Sequence, residues 1–195
     1  MLVGNFQKLI MLQSETLLVS RVTGPALSDT CSCLEVLGVV QKYLLRTGGN
    51  TVDVFARNQR LCKWTNDINE KTAAEFHLDS LDFCRLLVAK KERVDLVLFD
   101  PPFSPTQAKR QYEECGLELP KRVAQACGWS KEKDEIKKLM KEGGYFISLG
   151  WNTVGMGTGR GFYGVELVVV NHGSGHNDTL VYVEQKFQDR TRKLL

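Results

Sequence analysis

The chain has 195 residues, 43% of them hydrophobic and 25% charged, which suits one compact globular domain with a sizeable core and excludes a second large one. Lys and Arg number 26 against 23 Asp and Glu, so the net charge of +3 permits a polyanionic partner without demanding one. No apolar run approaches the roughly 18 residues of a membrane span, and Asn5, Gln7, Lys8, Gln13 and Glu15 interrupt the apolar start, so a soluble, cytoplasmic protein is expected.

In chain order, Leu9, Ile10, Met11 and Leu12 suggest a short buried segment that Thr23-Gly24-Pro25 breaks. No role is assigned to residues 1–30, and the domain proper is taken as 31–195. From Leu34 to Leu45 the apolar residues Leu34, Leu37, Val40, Leu44 and Leu45 recur at helical spacing, and Thr47-Gly48-Gly49-Asn50 ends the helix. A strand follows at Thr51 to Ala56. Lys63 to Asp67 reads as a short second strand ending in an acid, Asn69 to Ala74 as a helix, and His77-Leu78-Asp79-Ser80 as the end of a third strand. Leu81 to Lys91 is a helix. Beyond residue 129, Ser130 caps a helix from Lys131 to Lys141, Gly143-Gly144 closes it, and Tyr145 to Leu149 makes a fifth strand. Val165 to Val170 and Thr179 to Val183 form an antiparallel hairpin. Alternating strands and helices that finish in a hairpin predict an α/β fold with a mostly parallel, doubly wound sheet.

The most informative stretch is Val94 to Phe103, VDLVLFDPPF. Its apolar run reads as a central strand covered on both faces, and Pro101 must end it because proline supplies no amide hydrogen to the ladder. Asp100 therefore sits at a carboxyl-end strand tip, where open α/β sheets bind ligands, and the proline after it keeps it extended. Acids mark three earlier strands as well: Asp53, Asp67 and Asp79. A carboxylate only accepts hydrogen bonds, so at the crevice it suits a ribose diol or an adenine amino group.

Asp100-Pro101-Pro102-Phe103 resembles the catalytic motif of S-adenosylmethionine-dependent methyltransferases that modify exocyclic amino groups, above all the DNA adenine and cytosine amino-methyltransferases. Asp53-Val54-Phe55-Ala56-Arg57-Asn58 is similar to the first motif of those enzymes, with Val54 in place of the usual proline and no glycine after Phe55. The order of this turn, Thr65-Asn66-Asp67, His77-Leu78-Asp79 and the DPPF tetrapeptide looks like a phage- and plasmid-type variant of the adenine-specific enzymes, over about residues 34 to 187. The resemblance implies a single-domain Rossmann-like methyltransferase fold and S-adenosylmethionine as cofactor. Asp53, Phe55, Ala56, Asn58, Asp67, Asp79 and Ser80 would meet the cofactor, Asp67 at the ribose and Asp79 at the adenine. Asp100, Pro101, Pro102 and Phe103 would form the catalytic motif. There the Asp100 carboxylate and the Pro101 carbonyl accept the two amino hydrogens while Phe103 stacks on the base. The implied partner is nucleic acid, DNA ahead of RNA, and with little room for a target-recognition domain the chain would have loose specificity, a partner subunit or second copy, or an unusual substrate. RNA amino-methylation and a catalytically silent scaffold are the alternatives.

Other features are weaker. Trp151 and Asn152 would line a target-base pocket, and Arg160, in a glycine-rich and flexible loop, would meet a phosphate. Gly159 to Gly164 spells the dinucleotide fingerprint, yet it precedes a strand, and phosphate binding needs it before a helix. Lys109, Arg110, Lys121 and Arg122 form a basic segment suited to backbone phosphate. Cysteines at 31, 33, 62, 84, 115 and 127 lack paired spacing and read as reduced thiols, while Cys31, Cys33, His172 and His176 make too poor a zinc signature to predict a metal.

Overall fold

A computed structural model describes residues 17–27, 29–124, 129–153 and 155–187. The Leu9 to Leu12 segment and Cys127 lie outside them. The elements are β1 (Leu18–Thr23), α1 (Leu34–Leu44), β2 (Thr51–Asp53), β3 (Trp64–Thr65), α2 (Ser80–Ala89), β4 (Val94–Phe99), α3 (Pro105–Glu114), α4 (Lys121–Ala124), α5 (Ser130–Leu139), β5 (Met140–Gly150), β6 (Phe162–Asn171) and β7 (Thr179–Lys186), with 3-10 turns at Thr30–Ser32 and Thr158–Arg160.

The strands form one sheet in the order β1-β6-β7-β5-β4-β2-β3. β7 runs antiparallel to both β5 and β6, and every other pairing is parallel. β4 lies at the centre for the reason its sequence gives. Val97 and Phe99 pack into the core on one face with Phe83, Leu87, Ile136 and Phe146, while Leu96 and Leu98 pack on the other with Val36, Val40, Ile147 and Val181. Burial of each such side chain stabilises by about 1.5–3 kcal/mol, so a strand apolar on both faces is driven inside. Asp95 is the exception along β4, and Lys141 Nζ meets its carboxylate at 2.7 Å.

Five details differ from the sequence expectations. Residues 18–23, given no role, add a parallel edge strand beside β6. Residues 69–74 form turns instead of a helix, because Asn69 Oδ1 accepts the Lys71 N–H at 3.0 Å and the Asn69 carbonyl takes the Thr72 hydroxyl at 2.9 Å, local bonds that compete with helix. The third strand is reduced to one bridge between Asn66 and Phe76. Ser130 does not cap α5: Trp129 occupies that position at φ 42°, without a capping side chain. Gly143-Gly144 lie within β5, where the ladder with β4 slips between Met140 and Tyr145.

The parallel strands β2, β3, β4 and β5 end at one edge of the sheet. Residues 54–58, 66–69, 100–104, 151–153 and 155–157 therefore converge there, as open parallel sheets arrange their binding crevices.

Candidate active site

A cavity of about 250 Å³ opens at this edge, lined by Phe55, Arg57, Asn58, Asp67, Ser80, Asp100, Pro102 and Trp129 among others. Its floor is the turn after β2. Asp53, buried, accepts the Phe55 N–H at 3.1 Å and holds the start of that turn. Ala56 donates its N–H to the Asn66 carbonyl at 2.8 Å. Arg57 then takes the left-handed conformation at φ 49°, the freedom usually provided by glycine, and its N–H meets Asp67 Oδ2 at 3.1 Å. Asp67 Oδ1 accepts the Asn69 N–H at 2.8 Å, so each oxygen carries one backbone donor and keeps a lone pair for the cavity.

Asn66 stitches the surrounding loops together. Its Nδ2 donates to the Val54 and Leu78 carbonyls at 3.2 and 3.1 Å, and its Oδ1 accepts the Leu78 N–H at 3.0 Å. Phe55 stands edge-on to Phe99 and Trp129, with ring centroids 5.2 and 5.1 Å apart. Trp129 is 5% exposed, and its indole N–H has no hydrogen-bond partner among the described residues.

Asp100 is half-buried behind this turn. Burial pushes its carboxyl up to about 7 against the opposing pull of a Thr30 side-chain hydrogen bond and the Arg57 guanidinium, and Asp29 adds to the rise. Asp53 is likewise held well above the usual carboxylate range, first by burial and then by Asp100, Asp67 and Asp29, although the Phe55 N–H opposes. Four acids thus crowd this edge, and their mutual repulsion adds to the rise at Asp53 and Asp100.

The DPPF motif stands between two cavities. Asp100 and Pro102 face the first, whereas Phe103 lines a second, of about 230 Å³, with Thr30, Gln107, Trp151 and His172. Phe103 and Trp151 meet at 5.5 Å with rings inclined by 61°. His172 closes the far side of that cavity. Its Nδ1 lies 2.9 Å from the Gly24 carbonyl, which only accepts, so Nδ1 donates there, and Nε2 lies 2.8 Å from the Thr179 hydroxyl.

Phe55, Asn58, Asp67, Ser80, Asp100 and Pro102 therefore share the first cavity, with Phe103 and Trp151 beside it. Ala56 and Asp53 lie beneath it. Asp79 points elsewhere: its carboxylate caps α2 through the Leu81 N–H at 3.0 Å, accepts the Tyr112 hydroxyl at 2.9 Å and pairs with Arg122. Arg122 also meets Glu132 at 3.1 Å, so it is a structural bridge instead of part of an open basic strip. Arg160 pairs with Asp134 at 2.8 Å and donates to Ser130 Oγ at 2.7 Å. Its loop is pinned, because Glu184 accepts the Met156 and Gly157 N–H groups at 2.6 and 2.8 Å. Asn152 is exposed after β5. Sequence reasoning missed Trp129, Asn66, Thr30 and Gln107; the Ser104-Pro105-Thr106-Gln107 spacing, a helix-capping pattern, was the one local signal for the last.

Among the described residues no group of three or more His, Cys, Asp or Glu is placed to hold a metal ion, the five cysteines are free, and no helix is long and apolar enough to cross a membrane.

No protein-family model and no curated protein matches the chain. Solved structures do. SMU.776, assigned as a methyltransferase and complexed with SAH, superposes with a TM-score of 0.50 at 12% identity over 75% of this chain and 48% of that one. A protein from Streptococcus mutans assigned as SAM-dependent methyltransferase gives 0.50 at 10% identity over 76% and 48%. TrmN from Thermus thermophilus gives 0.48 at 17% identity over 76% and 48%. The chain spans about half the length of these structures, and its seven-stranded sheet has the Rossmann-like fold of S-adenosylmethionine-dependent methyltransferases.

Proposed function

We propose that the protein is an S-adenosylmethionine-dependent methyltransferase acting on an exocyclic amino group of a nucleobase, adenine in DNA foremost. The observation that carries this is the position of Asp100-Pro101-Pro102-Phe103 as a wall between an acid-lined cavity and an aromatic-edged one.

The first cavity fits the cofactor in charge and in hydrogen bonding. Asp29, Asp53, Asp67 and Asp100 favour a cation, which suits a sulfonium. Asp67 keeps acceptor capacity on both oxygens for a ribose diol, and Phe55 offers an apolar face. When bound, the cofactor supplies an electrophilic methyl group.

The chain's own residues do the rest. The ionised Asp100 carboxylate accepts one amino hydrogen and the Pro101 carbonyl the other, which turns the nitrogen lone pair outward. Phe103 stacks on the base. No strong base is needed, because the proton leaves only after the nitrogen has become cationic, and Asp100 is the acceptor beside it. Orientation and charge placement supply most of the acceleration.

The test is transfer of a tritiated methyl group from S-adenosylmethionine to duplex DNA, single-stranded DNA and RNA, followed by nucleoside analysis, beside calorimetry of cofactor binding. Label in N6-methyladenine of DNA, abolished by Asp100→Asn with cofactor affinity kept, is expected. Label only in RNA would transfer the proposal to an RNA substrate, and absence of cofactor binding would replace it with a scaffold.

A further inference from the structure

The second cavity contains a polar group with an unused function. Ser104 caps α3 by accepting the Gln107 N–H at 3.2 Å, and Gln107 returns the contact one residue earlier, its Oε1 accepting the Phe103 N–H at 2.8 Å. A backbone N–H needs an acceptor, which fixes the amide oxygen toward Phe103 and turns the NH2 away from it. That NH2 has no hydrogen-bond partner among the described residues, and Gln107 lines the cavity together with Phe103 and Trp151. A helix cap alone would use only the oxygen.

The cavity adjoins the reacting group on two sides. Phe103 is three residues beyond Asp100, and Thr30, which also lines the cavity, hydrogen-bonds the Asp100 side chain. A planar base with its amine at Asp100 and its face on Phe103 presents its ring edge to the same wall. In adenine the amine is flanked by two ring nitrogens, N1 and N7, and both are acceptors without a proton.

We propose, on the basis of the amino-methyl transfer above, that the second cavity is the acceptor pocket and that the Gln107 NH2 donates to the adenine ring nitrogen beside the methylated amine, making Gln107 a base-reading residue. A base edge with a proton at that position meets two donors face to face. A buried donor left without an acceptor costs most of a hydrogen bond plus its desolvation, so discrimination of about 10- to 100-fold is expected from this contact.

Gln107→Glu tests it, because the carboxylate keeps an acceptor for the Phe103 N–H and sits well at a helix N-terminus, while it removes the donor. The expected result is a fall of about 10- to 100-fold in kcat/KM for adenine-containing DNA with an unchanged cofactor Kd. Oligonucleotides carrying 1-deazaadenine or 7-deazaadenine provide a second arm that needs no variant. One of them should lose a similar factor with the wild-type protein and lose little more with Gln107→Glu, since both changes delete one contact. Wild-type kcat/KM in Gln107→Glu, full activity on both deaza substrates, or losses that multiply would each overturn the role of Gln107 while leaving the wild-type protein active. A wild-type protein that binds cofactor but methylates no nucleic acid would overturn the amino-transfer function itself, and the base-reading role with it.

Discussion

Arg57 stands in the left-handed region at φ 49°, and the Asp67 carboxylate holds its N–H at 3.1 Å. The turn that glycine serves in related motifs is thus made by an arginine whose strained backbone is fixed by the same acid proposed to bind the ribose. Asp67→Asn keeps one acceptor oxygen and sets an amide NH2 against the other backbone donor. Cofactor Kd should rise about 10- to 100-fold, the value of one to two charge-assisted hydrogen bonds, while the fold persists. Arg57→Gly should stabilise slightly, by up to about 1 kcal/mol, because glycine removes the backbone strain. Calorimetry and urea unfolding measure the two; an unchanged Kd in Asp67→Asn would remove the ribose role.

Asp100 gives the activity and the stability opposite pH dependences. An unfolded Asp titrates near 3.9, whereas burial places the folded group at about 7. Between these values the folded protein holds a proton that the unfolded chain has lost, so stability falls as pH rises from about 4 to about 7 and levels off above. Buried Asp53 contributes in the same direction. Transfer needs the ionised Asp100, so kcat/KM for the cofactor should increase through about pH 7. The kcat profile should lie lower, because a bound sulfonium favours the carboxylate. Asp100→Asn should flatten part of the stability profile. A kcat/KM that is level from pH 5 to 8 would show that Asp100 is not the titrating group.

The central strand and its acid were readable because burial on both faces and the proline that ends the ladder are local properties of ten residues. Asp67 was readable for the same reason, as an acid at a strand tip. Asp79 was not separable from it in sequence: an acid before a helix serves equally as a cap, and only the fold brings Tyr112 and Arg122 to its carboxylate. Thr30 escaped notice because its contact with Asp100 spans seventy residues, and Trp129 because nothing before α5 marks a tryptophan as facing a cavity. The glycines of 155–161 suggested mobility, yet Glu184, far along the chain, supplies the acceptors that hold the Met156 and Gly157 backbone.

Arg122 joins two acids on different elements, Asp79 before α2 and Glu132 in α5. Burial alone would raise the Asp79 carboxyl, but the hydrogen bonds and charge of Arg122 together with the Tyr112 hydroxyl hold it below its ordinary value. Glu132 is 1% exposed, so Arg122→Ala leaves a buried charge with, among the described residues, only the Ser80 hydroxyl at 3.2 Å and should cost about 3–5 kcal/mol. Arg122→Lys should recover only part of that, since an ammonium cannot fork to both acids. The depressed Asp79 contributes stability above pH about 4 that is lost as the pH falls through its folded value, and this acid-side loss should be smaller in Arg122→Ala. Urea unfolding at pH 7 and pH 3 distinguishes these outcomes; a cost under about 1 kcal/mol at pH 7 would mark Arg122 as a surface residue.

Glu184 anchors the loop that follows β5 through the backbone of Met156 and Gly157, and Gly155 passes so close that a Cβ there would lie 1.8 Å from Glu184 Oε2. Met156, buried in the core, depends on that docking. Gly155→Ala should therefore destabilise by about 1–3 kcal/mol through overlap, and Glu184→Ala by a similar amount through the buried Met156 N–H and the part-buried Gly157 N–H left without their acceptor. The two losses share one cause. In the Glu184→Ala background the added methyl meets vacated space, so the double variant should be more stable than the sum of the single losses implies, by at least about 1 kcal/mol. Strict additivity in urea unfolding would mean that the loop is held by something other than this carboxylate.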